Sequence, residues 1–181
     1  MVEQLSTEKL SKSTFMQVFR AKAFTSAKQI DGKDFIGNPA SVVICNHHLP
    51  SNEEMRKIAI SEKSPMTAFV LHQSGKQFQI RFFTPAGEEF GLCGHATLVA
   101  AHFIYQLYGL EEASFFKKEQ LIIQSKKSNH GFKVRLPAFE SESLENAISK
   151  VYLEDFGLLP TDLEAAYYCK KINDVFLILK S

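Results

Sequence analysis

The chain predicts an α+β fold in which a sheet wraps one buried helix, and three observations carry that prediction. Residues Ala96 to Tyr108 read as a helix whose Leu98, Val99, Ala100, Ala101, Phe103, Ile104, Tyr105 and Leu107 leave almost no polar face. A helix apolar all round is buried on all sides. The other periodic segments are short alternating or β-branched runs, so strands are the candidates to enclose it. A length of 181 residues at 45% hydrophobic, with sixteen Phe, can bury a real core in one domain or two small lobes.

The elements follow in order. Met1 to Thr14 is polar, with charges interspersed among Ser and Thr. It lacks the apolar stretch of a secretory signal, so residues 1–15 are expected to be a flexible leader and the protein cytoplasmic. Met16 to Phe24 alternates and predicts a first strand. Ile30 to Gly37 carries Asp31-Gly32 and Ile36-Gly37 and predicts a loop. Pro39 leads into the β-branched run Ala40 to Cys45, a second strand. Ser51 to Ser61 predicts a helix, with Ser51 and Glu54 spaced as a capping box. Met66 to His72 and Gln77 to Thr84 predict a hairpin about Ser74-Gly75-Lys76. After the apolar helix, Gln120 to Ser125 and Phe132 to Leu136 predict a second hairpin around Ser128-Asn129-His130-Gly131. Leu144 to Phe156 has helical spacing with Gly157 as its stop. Tyr167 to Cys169 and Val175 to Leu179 predict late strands. No internal repeat is present.

Composition excludes several function classes. A formal net charge of +1 supplies no basic field for nucleic acid. No apolar run approaches the ~20 residues of a membrane-spanning helix. Three widely spaced cysteines give neither a disulfide framework nor a C-x-x-C metal pattern. Cys45 and Cys169 lie in apolar stretches and read as packing residues. His47-His48 has no partner ligands in sequence, and no G-x-S-x-G accompanies Gly91 to Gly94.

Chemistry concentrates elsewhere. The strand Arg81 to Pro85 runs through Glu88-Glu89-Phe90-Gly91-Leu92 into Cys93-Gly94-His95-Ala96-Thr97. A thiol, a glycine and an imidazole thus stand where the apolar helix starts. Helix starts carry unpaired N–H groups and partial positive charge, which suits a small carboxylate. The same field favours a thiolate at Cys93. His95, with a reference pKa near ~6.5, could donate to a carbonyl or carry a proton, or could instead bond the loop backbone. Cys93 reads either as a proton-transfer group or as a packing thiol. Gly94 leaves room for close approach of an anion to the N–H groups of His95 and Ala96. Asn38 holds its loop against the site, contacts a ligand, or stabilises a turn. Glu88 and Glu89 read either as a solvated turn or as residues near the cleft, and His102 as a satisfied core residue.

Two motifs carry a family resemblance. Phe35-Ile36-Gly37-Asn38-Pro39-Ala40-Ser41-Val42-Val43 resembles the F-x-G-N-P-A-x-V-V signature of the phenazine-biosynthesis-like (PhzF-like) isomerases. Arg81 to Pro85 followed by Cys93-Gly94-His95-Ala96-Thr97 resembles that family's R-x-F-T-P…C-G-H-A-T signature. The resemblance implies a diaminopimelate-epimerase-like fold: two lobes, each a strongly curved, mostly antiparallel sheet around one central helix, with the site between them and no cofactor. At this length the chain is expected to be one such lobe over residues 16–181, with only a linking strand of the second. By the same resemblance, His95 and Cys93 are the catalytic candidates, and Asn38, Gly94, Ala96 and Thr97 contact substrate.

One departure stands out. The family's catalytic Glu lies in S-E-T-A-F-V; here the segment is Pro65-Met66-Thr67-Ala68-Phe69-Val70. Met66 cannot take a proton. The expectation is therefore a cofactor-independent isomerase or epimerase-like protein acting on a small carboxylate. A homodimer or a separately encoded second lobe would complete its cleft. The alternative is a non-catalytic binding or regulatory lobe, or one half of a split enzyme.

Overall fold

The computed structural model describes residues 2–9, 16–25, 36–117, 120–129, 131–144, 153–172 and 174–180. The chain divides into two compact units, Met1–Pro137 and Ala138–Ser181. The expectation is one lobe over 16–181 with a linking strand; the described residues of the second unit hold a separate small sheet.

Unit 1 contains β1 (Val2–Lys9), β2 (Met16–Ala23), β3 (Asn38–Cys45), α1 (Asn52–Glu62), β4 (Thr67–Ser74), β5 (Gln77–Phe83), β6 (Glu89–Phe90), α2 (Gly94–Tyr108), β7 (Glu112–Lys117), β8 (Gln120–Ser128) and β9 (Gly131–Arg135). The sheet order is β1-β2-β3-β4-β5-β7-β8-β9, with β6 paired to β5. Neighbours are antiparallel except β3 with β4 and β5 with β7. Those two parallel pairs arise where a helix intervenes: α1 between β3 and β4, α2 between β5 and β7.

Helix α2 touches β1, β2, β3, β4, β7, β8 and β9. A sheet whose two edge strands both reach one helix is curled around it. Alternate residues of the strands point inward, among them Phe19, Val42, Val70, Ile80, Phe82 and Phe115, and pack on Val99, Phe103 and Ile104 of α2. The other face of β2–β5 is covered by Met55 and Ala59 of α1, which meet Val18, Val43, Phe69 and Phe83. Strands buried on both faces read as continuous apolar runs, as in Val42-Val43-Ile44-Cys45. Helix α1 starts at the predicted capping box: Ser51 Oγ accepts from the Glu54 N–H at 3.3 Å, and Glu54 Oε2 accepts from the Ser51 N–H at 2.9 Å.

The first strand corrects the flexible leader. Val2–Lys9 pairs with β2 from Val2↔Ala23 to Lys9↔Gln17. As an edge strand it shows solvent the side chains of Glu3, Gln4, Ser6 and Thr7, and Val2 alone of its apolar residues packs on the core. Its hydropathy therefore lacks the alternation of a half-buried strand. Strand β7, also unanticipated, pairs with β5 and β8. Helix α2 begins at Gly94, two residues before the expected Ala96, and ends on Gly109 in the left-handed conformation.

The described residues of unit 2 hold a three-stranded sheet, β10 (Glu142–Ser143), β11 (Leu163–Cys169) and β12 (Asp174–Leu179), in that order. The expected helix over Leu144 to Phe156 lies mostly outside the described residues, as does the expected loop from Ile30 to Gly37.

Candidate functional site

The site begins at Gly37. Its φ is +69°, and a Cβ there would sit 2.6 Å from the Ala23 carbonyl oxygen, so only glycine lets the chain return against the end of β2. That return starts β3, where Asn38 pairs with Ala23 and Pro39 with Lys22. The Pro39 carbonyl lies beside the His95 ring, where it favours the protonated imidazole. The two sequence motifs thus meet through a backbone oxygen. Asn38 itself is exposed. Pro39 is the residue sequence reasoning missed, because a carbonyl leaves no mark in side-chain chemistry.

At the start of α2, Cys93 is the N-cap, and Thr97 Oγ1 donates to its carbonyl at 2.7 Å. Thr97 is fully buried and committed to that bond. That bond gives its hydroxyl a structural role at the start of α2. The Cys93 sulfur lies 3.3 Å from His95 Nδ1. The backbone N–H groups of Ala96 and His95 favour the charged form of this sulfur. Those are the donors expected to cradle a carboxylate, and they lie beside the thiol.

Burial decides the charge states. Cys93 is only 6% exposed. Desolvation pushes its thiol up, and the two N–H donors offset this only in part. The expected lowering by the helix terminus is reversed, since removing an anion from water outweighs two backbone dipoles. Burial also pulls His95 down, with the Pro39 carbonyl opposing. At neutral pH the pair rests as a thiol beside a neutral imidazole.

Gly94 faces open space; a Cβ added there would have Leu136 Cδ1 as its nearest neighbour, at 3.9 Å. No protein group demands glycine there. Ala96 is fully buried in the core. Met66 is 6% exposed, in the same apolar cluster as Cys93 and Ala96. Its carbonyl accepts from the Ser41 N–H at 3.0 Å, which ties the family's carboxylate position to β3. His102 is half-buried, with its ring against Phe103 and Phe132.

Glu89 departs from the solvated turn expected of it. Its carboxylate accepts from Arg81 Nη2 at 2.6 Å and lies 3.1 Å from Lys117 Nζ. Arg81 also donates to Asn52 Oδ1 at 2.7 Å. Hydrogen bonds from Arg81, then Lys117, hold its pKa at about 2 against the cost of burial. This network clamps the segment leading to Cys93 onto β5 and β7. Glu88 donates its N–H to Thr84 Oγ1 at 3.2 Å and is exposed. Cys45 and Cys169 are buried as expected. Among the described residues, no group of three His, Cys, Asp or Glu side chains is placed to hold a metal, and no helix is long and apolar enough to cross a membrane.

Comparison with known proteins follows this geometry. A family described as phenazine biosynthesis-like protein, PhzC-PhzF, matches residues 22–181. The chain is similar to the uncharacterized isomerase YddE of Escherichia coli (strain K12), 32% identical over 158 residues, covering 80% of this chain and 50% of that protein. It is similar in structure to a phenazine biosynthesis protein of the PhzF family from Enterococcus faecalis, with a TM-score of 0.61 and 25% identity over 92% of this chain and 58% of that one. A putative phenazine biosynthesis PhzC/PhzF protein from Clostridium difficile (strain 630) gives a TM-score of 0.59 and 30% identity over 80% of this chain and 52% of that one. The chain spans about half the length of the curated relatives it matches. Its mixed α+β architecture with a curled sheet is that of these structures. The chain belongs to the PhzC-PhzF family of phenazine biosynthesis-like proteins, several of whose matched relatives are named as uncharacterized isomerases.

Proposed function

We propose that this chain carries the proton-transfer side of a cofactor-independent isomerase acting on a small carboxylate, in a lobe of the diaminopimelate-epimerase type. One observation supports the reading above the others: the thiol of Cys93 lies 3.3 Å from His95 Nδ1 at the start of a buried helix. A base and a proton donor in contact can move a proton off a carbon and return it. At rest the imidazole is the unprotonated partner. As it takes up a proton, the N–H groups of Ala96 and His95 stabilise charge developing on sulfur. The substrate carboxylate binds in the open space before Gly94, near the positive end of α2. A second copy, or a separately encoded second half, supplies the facing wall of the cleft.

The test is solvent deuterium exchange at the α-carbon of small amino and hydroxy acids. Wild type should incorporate deuterium, and Cys93→Ala or His95→Asn should lower the rate about a hundredfold or more. Absence of exchange in every acid, with Cys93→Ala changing nothing, would refute the catalytic reading. Met66 supports a second reading, a binding or regulatory lobe. An apolar side chain stands at the family's carboxylate position. Calorimetric binding of a carboxylate without any exchange would favour it.

A further inference from the structure

Helix α1 fixes its own start with a capping box, and α2 does not. Its N-cap, Cys93, makes no side-chain capping bond, and no acidic residue stands in its first turn. The first N–H groups of a helix are the ones left without partners inside it, so an uncapped start depends on what surrounds it. The Thr97 bond to the Cys93 carbonyl ties the N-cap to the helix, not the helix to the sheet. Apolar packing holds the body of α2, but that force has no direction. The thiol and imidazole stand on this start, 3.3 Å apart. Their placement therefore falls to the segment that enters the helix.

That segment is anchored as far as Phe90. The Thr84 N–H donates to the Glu88 carbonyl at 2.9 Å, and β6 pairs Glu89 with Phe83 and Phe90 with Phe82. The Glu89 carboxylate accepts two bonds from Arg81, from Nε at 3.1 Å and from Nη2 at 2.6 Å. Arg81 is itself held twice. Its Nη1 donates to Asn52, the first residue of α1, and its guanidinium lies 5.3 Å from the centre of the Phe83 ring. Lys117 closes the arrangement. Its ammonium lies 3.1 Å from the Glu89 carboxylate and donates to the Phe90 carbonyl at 3.3 Å. Lys117 belongs to β7, the strand after α2, so this contact joins the chain entering the helix to the chain leaving it. Only Gly91 and Leu92 separate Phe90 from Cys93. The side chains of Arg81, Lys117 and Glu89 are 19%, 24% and 29% exposed. A forked, partly shielded carboxylate bridge of this kind is stiffer than a surface ion pair between two solvated side chains.

We propose that Glu89, with Arg81 and Lys117, is a positioning residue for the Cys93–His95 pair: the carboxylate and its two cations fix the start of α2 from outside the helix and keep the thiol buried against the imidazole. The placement of the pair stands by itself; only its effect on turnover rests on the catalytic reading above.

Alkylation of the folded chain by iodoacetamide, with each cysteine followed by mass spectrometry, tests it. Glu89→Gln keeps the shape of the carboxylate and removes its charge; Lys117→Met removes the second cation at similar length. Each should speed alkylation of Cys93 about tenfold or more, because the local opening that exposes the thiol becomes more populated. Cys45 and Cys169, buried elsewhere, should keep their wild-type rates. Lys117→Arg should return Cys93 to slow reaction, since it can still reach both the carboxylate and the Phe90 carbonyl. Glu62→Ala breaks a different ion pair, at the other end of α1, and should lower stability without speeding Cys93. The proposal is overturned if Glu89→Gln leaves the Cys93 rate unchanged, or if Glu62→Ala raises it as much. Where wild type exchanges solvent deuterium into a carboxylate, Glu89→Gln should lower kcat and leave KM nearly unchanged, and an unaltered kcat also counts against the proposal. A wild type without exchange refutes the catalytic reading alone, and the alkylation rates still decide this one.

Discussion

Phe78, Phe82, Phe103 and Phe115 of unit 1 are at most 1% exposed, whereas Phe156 and Phe176 of unit 2 are 63% and 48% exposed. Unit 1 has Phe24 and Phe90 exposed as well, but most of its described Phe side chains fill a core, whereas these two of unit 2 face solvent. The difference follows from what each sheet has to pack against. Nine strands curl on α2, and four of them carry α1 on the other face. Three strands in a 44-residue unit have few apolar partners, and small units bury a smaller share of their surface. Stability therefore resides in unit 1, where the thiol and imidazole are also placed.

The comparison can be broken most directly by the same substitution in both units. Phe103→Ala should destabilise unit 1 by about 3–5 kcal/mol. Phe176→Ala, in dilute protein, should stay within about 0.5 kcal/mol. Denaturant titration measures both, and equal losses would refute the contrast. Next in size is the ion pair beneath α1. Two nitrogens of Arg20 bond the carboxylate of Glu62, each at 2.8 Å, and Ser41 Oγ donates to it at 2.8 Å. The Glu62 side chain is 5% exposed, so Glu62→Ala should cost about 3 kcal/mol by removing a buried acceptor from three donors.

Acid should act on the segment that leads to the thiol. The Glu89 carboxyl is held at about 2, below its usual 4.5. A lowered folded-state pKa stabilises above the unfolded value and is lost as pH falls through the folded one. Between about pH 4.5 and 2 the clamp should release. After solvent screening at this partly exposed site it contributes about 1 kcal/mol. The pH dependence of stability in Glu89→Gln should be flatter over that window. The smallest effect concerns Thr67, whose hydroxyl is fully buried without a hydrogen-bond partner among the described residues. Thr67→Val should be neutral or stabilise by up to about 1 kcal/mol in thermal melts. A loss above that would mean the hydroxyl has a partner such as a buried water.

Much of this was legible in the residues. An apolar helix demands an enclosure, and Leu98 to Ile104 announced both the helix and the curled sheet. The capping box at Ser51 and the turn at Gly75 are local signals, and the structure has both. Strand β1 was illegible because an edge strand in water has no apolar alternation to show. Strand β7, Glu112-Ala113-Ser114-Phe115-Phe116-Lys117, is defined by the strands it pairs with, β5 and β8. Within the site, the proximity of Cys93 and His95 follows from their spacing. The direction of the thiol's pKa does not. A helix terminus is visible in sequence, but the burial that outweighs it is not.

Sequence alone determined the central helix, the capped α1 and the two motifs, because each depends on neighbours within a few residues. Only the tertiary structure decided that the Pro39 carbonyl lies beside His95, that Thr97 donates to the Cys93 carbonyl, and that Glu89 is clamped between two cations. Those outcomes depend on atoms brought together from distant strands and on how much water is left around them. Hydrogen-bond partners and desolvation are properties of the assembled fold.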